Sequence, residues 1–529
     1  MTARSPVREN LQFIFLVLEC KNTIFVRYKE TVMKKCFLIL LMLIPLSGFS
    51  QNSVQKYIDE QMKTDSLFIN AVVGILAVDQ NGRQIAAWNP DMPLLTASTM
   101  KTITTGLGYE VLGPDYRFST RVAYDGRIEN GILHGNLYIV GGADPTLGSR
   151  DTIAIPIDTI FNAWANAVKK AGIRRINGRI VGDDRIYEEE SIPSSWSYGN
   201  IGYDYGSGTS GLSFCENLTY FEIEPGEVVG DPVRITPVGP FSPHMTYINE
   251  VTTGEKGEGD NTEYYASRIT PIGKFVGTYG IDARPRTLAQ SNKYGPATCA
   301  SEFAAFLKER GIGCKGVTDV RQMEYDYPVP AQSDLTYIAE TFSPELRRIV
   351  KVTNTISNNF FAETIFKMVG KTLIERKTGK PCMNVSYGQA RRIIKEYLKD
   401  RGVSTYGYTQ DDGSGLSRQN YVSPRFFTRF YAMMAKSPDF KEYRETFPGP
   451  GRPGTLSNVL RKADPAIKKT IYAKSGSLSS VRCYAGYVDS KRGLLRFAIL
   501  VNNYDCPTSK VQPKIEGFLE ELGKYGAMQ

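Results

Sequence analysis

The segment Leu95-Thr96-Ala97-Ser98-Thr99-Met100-Lys101-Thr102-Ile103 decides how this chain is to be read. Lys101 follows Ser98 by three positions, and on an α-helix that spacing puts both side chains on one face. A hydroxyl beside an amine can act as a nucleophile beside its base. Helical spacing continues to about Leu112, so Ser98 falls at an N-terminal turn, where free backbone N–H groups and the helix dipole favour developing negative charge. Ser-x-x-Lys also occurs in ordinary surface helices, so its meaning depends on the rest of the chain.

Of 529 residues, 41% are hydrophobic and 22% charged, the balance of a globular protein long enough for more than one domain. There are two histidines, His134 and His244, and neither has a serine or carboxylate partner in sequence. A Ser-His-Asp arrangement is therefore disfavoured, and lysine is the natural base for a serine nucleophile. No Cys-x-x-Cys or Cys/His metal spacing appears, so no metal site and no cofactor are expected. Basic clusters interleaved with aromatics are absent, which argues against nucleic acid as a partner.

The N-terminus carries apolar runs at Phe13 to Leu18 and Cys36 to Leu46. The second follows Met33-Lys34-Lys35 and precedes Ser47-Gly48-Phe49-Ser50, the pattern of a secretory signal cut after Ser50, with translation starting at Met33. The protein is expected to be exported to the periplasm or cell envelope. Loss of residues 1–50 lowers the formal charge excess from +9 to +5, compatible with peripheral association with a wall or membrane surface but equally with a mixed solvated surface. Cys215, Cys299, Cys314, Cys382, Cys483 and Cys506 remain, and most read as buried thiols. A helix between Cys299 and Cys314 would hold that pair too far apart for a bridge, and a hairpin leaves Cys506 well beyond the residue facing Cys483.

Along the chain, Val54 to Met62 has helical spacing. Ala71 to Trp88 reads as two strands joined at Asn81-Gly82. Between about residues 116 and 337 short strands and turns dominate, with helices at 157–171 and 299–310 and a polar loop at 255–263. Helices resume at 344–352, 360–373, 386–399 and 424–436, bracketing the glycine-rich Asp412-Gly413-Ser414-Gly415-Leu416-Ser417-Arg418, which is read as a structural turn rather than a phosphate cradle. Lys474-Ser475-Gly476-Ser477 leads into Val481, Cys483, Ala485 and Tyr487, apolar at alternate positions as on a strand. A return strand spans 494–501, and a closing helix 511–525.

Three motifs thus stand in order: Ser98-x-x-Lys101, Ser357-Asn358-Asn359 and Lys474-Ser475-Gly476. Singly, the second reads as a helix cap and Lys474 as an edge-strand charge. Together they resemble the Ser-x-x-Lys, Ser-x-Asn, Lys-Thr/Ser-Gly triplet of penicillin-binding proteins and serine β-lactamases. With the long insertion, Gly141-Gly142-Ala143-Asp144-Pro145-Thr146-Leu147, the Asp412 to Arg418 segment and Gly454-Thr455-Leu456, the chain resembles the D-alanyl-D-alanine carboxypeptidase/endopeptidase family, the class C low-molecular-mass penicillin-binding proteins. Its third motif departs from the usual Lys-Thr-Gly-Thr, serine standing where threonine is common.

The resemblance implies an α/β (α+β) fold, a sandwich of helices around an antiparallel sheet. Residues 51–116 and 338–529 would form the catalytic domain, and 117–337 would be inserted β-rich domains, two and nested. It implies serine DD-peptidase activity on the D-Ala-D-Ala termini or D-Ala cross-links of peptidoglycan stem peptides, with β-lactams as covalent inhibitors. Ser98 would be the nucleophile, with Lys101, Ser357, Asn359 and Lys474 in proton transfer and substrate holding. Ser475, Gly476 and Ser477 would receive the substrate, the N–H groups of Ser98 and Ser477 forming an oxyanion hole. Lys101 must then be neutral, and burial together with the charge of Lys474 would lower its pKa. A serine β-lactamase is the enzyme alternative, although no acidic residue stands out as a deacylation base. A non-catalytic wall-binding or β-lactam-sensing protein is the other. The oligomeric state is not legible.

Overall fold

In the computed structural model, which describes residues 52–491 and 493–528, the two ends of the chain build one sheet. Its five strands run in the order Gln84–Trp88, Val72–Val78, Gly493–Asn502, Val481–Ser490, Ile471–Leu478, every neighbour antiparallel. The Asp79 to Arg83 turn closes the first hairpin, Gly82 taking a φ of +84° there. The alternation at Val481, Cys483, Ala485 and Tyr487 is a strand, and those side chains pack with Leu107, Phe430 and Tyr431 on one side. Tyr484 and Val488, between them in sequence, pack on the other side with Val54, Ile58, Val511 and Phe518. The sheet is therefore buried on both faces, between the Met100–Val111 and Pro424–Met434 helices and the Ser53–Thr64 and Thr508–Met528 helices. This is the expected sandwich of helices around an antiparallel sheet.

The Asn359–Thr378 helix runs through the interior, with every residue from Phe360 to Gly370 buried. Such a helix is mostly apolar all round, and Glu363 and Lys367 are its ionisable exceptions. At Gly370 a Cβ would come within 2.5 Å of Ala390, so glycine lets the Tyr387–Asp400 helix cross closely.

Between the Met100–Val111 helix and residue 343 the chain forms separate small sheets. One has five strands in the order Gly316–Asp319, Arg179–Asp183, Leu137–Gly141, Ser119–Tyr124, Thr336–Phe342. It mixes parallel and antiparallel pairs around a core that includes Trp164, Phe161 and Phe303. Residue 337, read as a boundary, lies inside the last of these strands, so the chain leaves this sheet only after Phe342. Residues 218–291 carry further short sheets around Phe221, Tyr264, Phe275 and Tyr279.

The reading of residues 1–50 as a leader starting at Met33 lies outside the described residues. Among the described residues no helix is long and apolar enough to cross a membrane. All six cysteines from Cys215 on are free, but only Cys299 and Cys483 are buried, the other four being half-buried, fewer than expected. In the hairpin Cys483 faces Leu500, leaving Cys506 beyond the strand end.

Candidate active site

Ser98 lies in a 3-10 turn, Ala97–Thr99, that runs directly into the Met100–Val111 helix. Ala97 has a φ of +43°, a left-handed conformation costing an L-residue about 1–2 kcal/mol. Two glycines hold this turn from outside. At Gly415 (φ +87°) a Cβ would overlap the Ala97 carbonyl oxygen. At Gly476 one would sit 2.6 Å from Thr96 O and 2.9 Å from Ser98 N. Gly476 is expected from the resemblance to receive the substrate, but the room it makes is first for the turn that carries Ser98.

Lys101 is fully buried, and its Nζ has three oxygen neighbours: Ser98 Oγ at 2.9 Å, Asn359 Oδ1 at 2.6 Å and Ser414 O at 2.8 Å. Burial pulls its pKa down to about 7, while the carboxyl groups of Asp412 and Glu363 push the other way. An ammonium donates to all three oxygens. A neutral amine spends its two N–H groups on the carbonyl oxygens of Asn359 and Ser414, which can only accept, and turns its lone pair to the Ser98 hydroxyl. The geometry suits a base for Ser98.

Ser357 stands between the Leu346–Ile356 and Asn359–Thr378 helices with a φ of +68°. The helix cap is Asn358, whose side chain accepts from Phe361 N at 2.8 Å, so the cap reading of this motif falls on its middle residue and frees Ser357. Ser357 Oγ accepts from Lys474 Nζ at 2.9 Å, and Lys474 also donates to Ser475 O at 2.9 Å. Lys474 lies on the outermost strand of the sheet yet is fully buried, so it is not a solvent-facing edge charge. Its pKa is held well below the usual lysine range by burial, then by the charges of Lys101 and Arg482. The expected influence of Lys474 on Lys101 thus appears as influence in the reverse direction, burial being the leading cause at both. Ser475 is buried and Ser477 exposed on the same edge strand.

All three motifs therefore meet around Ser98, Asn359 closing on Lys101 and Ser357 on Lys474. Several residues that the sequence did not assign to the site join them. The Asp412 to Ser417 loop, read as a structural turn, also forms one wall of the site through the Ser414 carbonyl. Asp412 sits inside the loop, accepting from Gly415 N at 2.7 Å, Ser417 N at 2.6 Å, Asn420 Nδ2 at 2.9 Å and Trp196 Nε1 at 2.9 Å. Glu363 braces the loop from the buried helix, its Oε2 accepting from Gly413 N at 2.9 Å and its Oε1 from Ser414 N at 2.7 Å. The region after the Met100–Val111 helix reaches in as well. Tyr205 O accepts from Asn359 Nδ2 at 2.8 Å, and Glu216 Oε2 from Asn358 Nδ2 at 2.8 Å. Nothing in the linear sequence points to these partners, because they are defined by long-range contacts rather than spacing. Among the described residues, no cluster of His, Cys, Asp and Glu is arranged to hold a metal ion.

Comparison with known proteins shows what the chain is similar to. The sequence profile of the D-Ala-D-Ala carboxypeptidase 3 (S13) family matches residues 54–522. The D-alanyl-D-alanine carboxypeptidase of Actinomadura sp. (strain R39) is 26% identical over 494 residues, covering 91% of this chain and 87% of that protein. The crystal structure of penicillin binding protein 4 (dacB) from Haemophilus influenzae superposes with a TM-score of 0.75 at 24% identity, covering 89% of this chain and 98% of that one. The same Haemophilus influenzae protein complexed with a β-lactam superposes with a TM-score of 0.71 at 23% identity, over 89% and 99% of the two chains.

Proposed function

The chain belongs to the D-Ala-D-Ala carboxypeptidase 3 (S13) family and is a serine carboxypeptidase, and from that premise we propose that it removes the terminal D-alanine of peptidoglycan stem peptides through an acyl-enzyme on Ser98. The Ser98 oxygen attacks the carbonyl carbon of the penultimate D-alanine, and its proton passes to Lys101 Nζ. Collapse of the tetrahedral intermediate breaks the C–N bond, and the leaving amine takes a proton relayed through Ser357, which Lys474 holds. Water then attacks the ester, releasing the shortened peptide and restoring the Ser98 hydroxyl. Asn359 holds the substrate amide, Ser475 and Ser477 receive its terminal carboxylate, and the N–H groups of Ser98 and Ser477 bind the oxyanion. Loss of one such donor typically costs about 10²–10³ in rate.

The observation that supports this most directly is the neighbour set of Lys101 Nζ. Two acceptor-only oxygens take both N–H groups of a neutral amine, which leaves its one lone pair towards the Ser98 hydroxyl. The same site opens D-Ala cross-links when the leaving amine belongs to a neighbouring stem, giving endopeptidase activity. It takes β-lactams as covalent inhibitors, a reading supported by the β-lactam complex of the Haemophilus influenzae relative. Export to the periplasm or envelope follows from the leader pattern and places the enzyme beside its substrate. The small sheets between residues 117 and 342 are inserted into the catalytic domain, and part of that insertion faces the site.

Labelling with a fluorescent penicillin and mass analysis of muropeptides after incubation test the proposal together. Wild-type protein is expected to bind the label, release D-alanine from a stem pentapeptide and cut cross-linked dimers, whereas Ser98→Ala does none of these. Label retained by Ser98→Ala would refute the nucleophile. Rapid cephalosporin turnover without D-alanine release would turn the reading to a β-lactamase, and no covalent label on the wild type would turn it to a non-catalytic binding protein.

A further inference from the structure

Glu363 and Lys367 are the only ionisable side chains in the buried stretch from Phe360 to Gly370, one helical turn apart. Neither touches Ser98, and neither has a place in the reaction above. Lys367 is held between the rings of Tyr187 and Tyr387, its Nζ 4.6 Å and 4.8 Å from their centroids, with Glu188 Oε1 4.0 Å away. Glu363 faces the opposite way along the chain of contacts, towards the catalytic lysine. Both of its oxygens are taken up by consecutive backbone N–H groups of the glycine-rich loop, Gly413 N and Ser414 N. The carbonyl of that same Ser414 is one of the two acceptor-only oxygens on Lys101 Nζ.

We infer that Glu363 is a positioning residue for Lys101: it clamps the Gly413–Ser414 backbone so that the Ser414 carbonyl fixes the amine with its lone pair towards Ser98. A carboxyl group is needed at this position because two separate oxygens must accept. A glutamine would set its NH2 against one of the two backbone N–H groups, which is a donor against a donor, and leaving either buried N–H unsatisfied displaces the loop. The loop has no slack to absorb the change. Thr104 Oγ1 donates to Gly413 O at 2.6 Å, Asp412 ties Gly415 and Ser417, and Gly413 packs so closely that a Cβ would lie 2.5 Å from Ala362 O. A burial this complete is costly for a carboxylate, and it pushes the Glu363 pKa up, as does the neighbouring Asp412. The helix thus carries an expensive acid at a position with no other contact to the reaction.

The inference rests on the reading of Lys101 as the base for Ser98, and its test separates the two. The second-order rate of acylation by a fluorescent penicillin is measured against pH for wild type, Ser98→Ala and Glu363→Gln, each normalised to the label bound at saturation. If Ser98→Ala still labels, the reaction scheme itself fails. With that control satisfied, Glu363→Gln is expected to lower the plateau rate by about tenfold or more, as misplacement of a reacting group does. It is also expected to move the acid limb to lower pH, because both a carbonyl acceptor and an acidic neighbour that favour the ammonium form are weakened. A variant that merely folds less well binds less label but keeps the wild-type profile once normalised, and that result overturns the proposal, as does a plateau within twofold of wild type. Glu363→Asp keeps two accepting oxygens at a reach one methylene shorter. It is expected to show the same two changes at smaller amplitude, and it decides the matter if Glu363→Gln yields no folded protein.

Discussion

The three oxygens around Lys101 Nζ set a requirement that a pH profile reads directly. With a pKa of about 7 in the folded protein, the amine is mostly protonated below that value and mostly neutral above it. Acylation by penicillin, measured as a second-order rate on the free enzyme, is therefore expected to rise with pH and level off above about pH 7–8. Below the midpoint it should fall about tenfold per unit. A rate flat from pH 5 to 8 would leave Ser98 without this base. Two further residues show how strain is placed here: Ala97 and Ser357 both hold left-handed backbone without being glycine, one beside the proposed nucleophile and one as the proposed relay. Spacing in the sequence marked Ser98, Lys101, Ser357, Asn359 and Lys474. It gave no sign of Glu363, and it marked Asp412 and Ser414 only as members of a turn shared with the family, because a glutamate inside an apolar helix and a backbone carbonyl in a turn acquire their meaning only from what packs on them.

At the level of elements, the Cys215–Asn217 turn is the least expected. Cys215, Glu216 and Asn217 have φ values of +51°, +56° and +52° in succession, each costing about 1–2 kcal/mol. The Asn217 side chain pays for part of this by accepting from Phe214 N at 3.1 Å and donating to Gly208 O at 2.7 Å. The turn aims Glu216 at the second motif, where one oxygen accepts from Asn358 and the other from Ser149 Oγ at 2.6 Å. Glu216→Ala leaves the Asn358 amide without that acceptor beside Ser357 and Asn359, and it is expected to lower kcat for D-alanine release by about tenfold, the scale of one lost buried hydrogen bond. Glu216→Gln is expected to restore most of the rate, since its carbonyl oxygen serves Asn358 and its NH2 can donate to the serine hydroxyl. Equal loss in both variants would count against this bracing role. The strands themselves were legible from alternation, but the central sheet buries both faces, so alternation at Val481 to Tyr487 revealed one face while Tyr484 and Val488 fill the other.

For the whole molecule, the central sheet joins residues more than 400 positions apart: Val72–Val78 pairs along its length with Gly493–Asn502. The Thr508–Met528 helix seals one face with Val511, Ile515, Phe518, Leu519 and Leu522, all at most 1% exposed. Losing these five side chains removes about 10 kcal/mol of apolar burial, comparable to the roughly 5–15 kcal/mol that holds a domain folded. A chain ending at residue 507 is therefore expected to bind no fluorescent penicillin and to lack a cooperative thermal transition, and a soluble, labelled product would contradict that estimate. The region from 117 to 342 enters this picture through Trp196, Tyr205 and Glu216, which reach Asp412, Asn359 and Asn358. That region is thus part of the site's wall.

Sequence by itself determined the chemistry on offer: a serine and a lysine three apart at a helix start, two histidines placed where neither serves a serine, and two further motifs on the elements that suit them. These are local properties, set by helical and strand periods and by which side chains can carry a proton. Tertiary structure decided the protonation logic. Burial lowers the pKa of Lys101, the Ser414 carbonyl and the Asn359 amide orient it, and Glu363 and Asp412 hold the loop that does so. Desolvation and hydrogen-bond direction depend on every neighbour within a few ångströms, and those neighbours come from segments hundreds of residues apart.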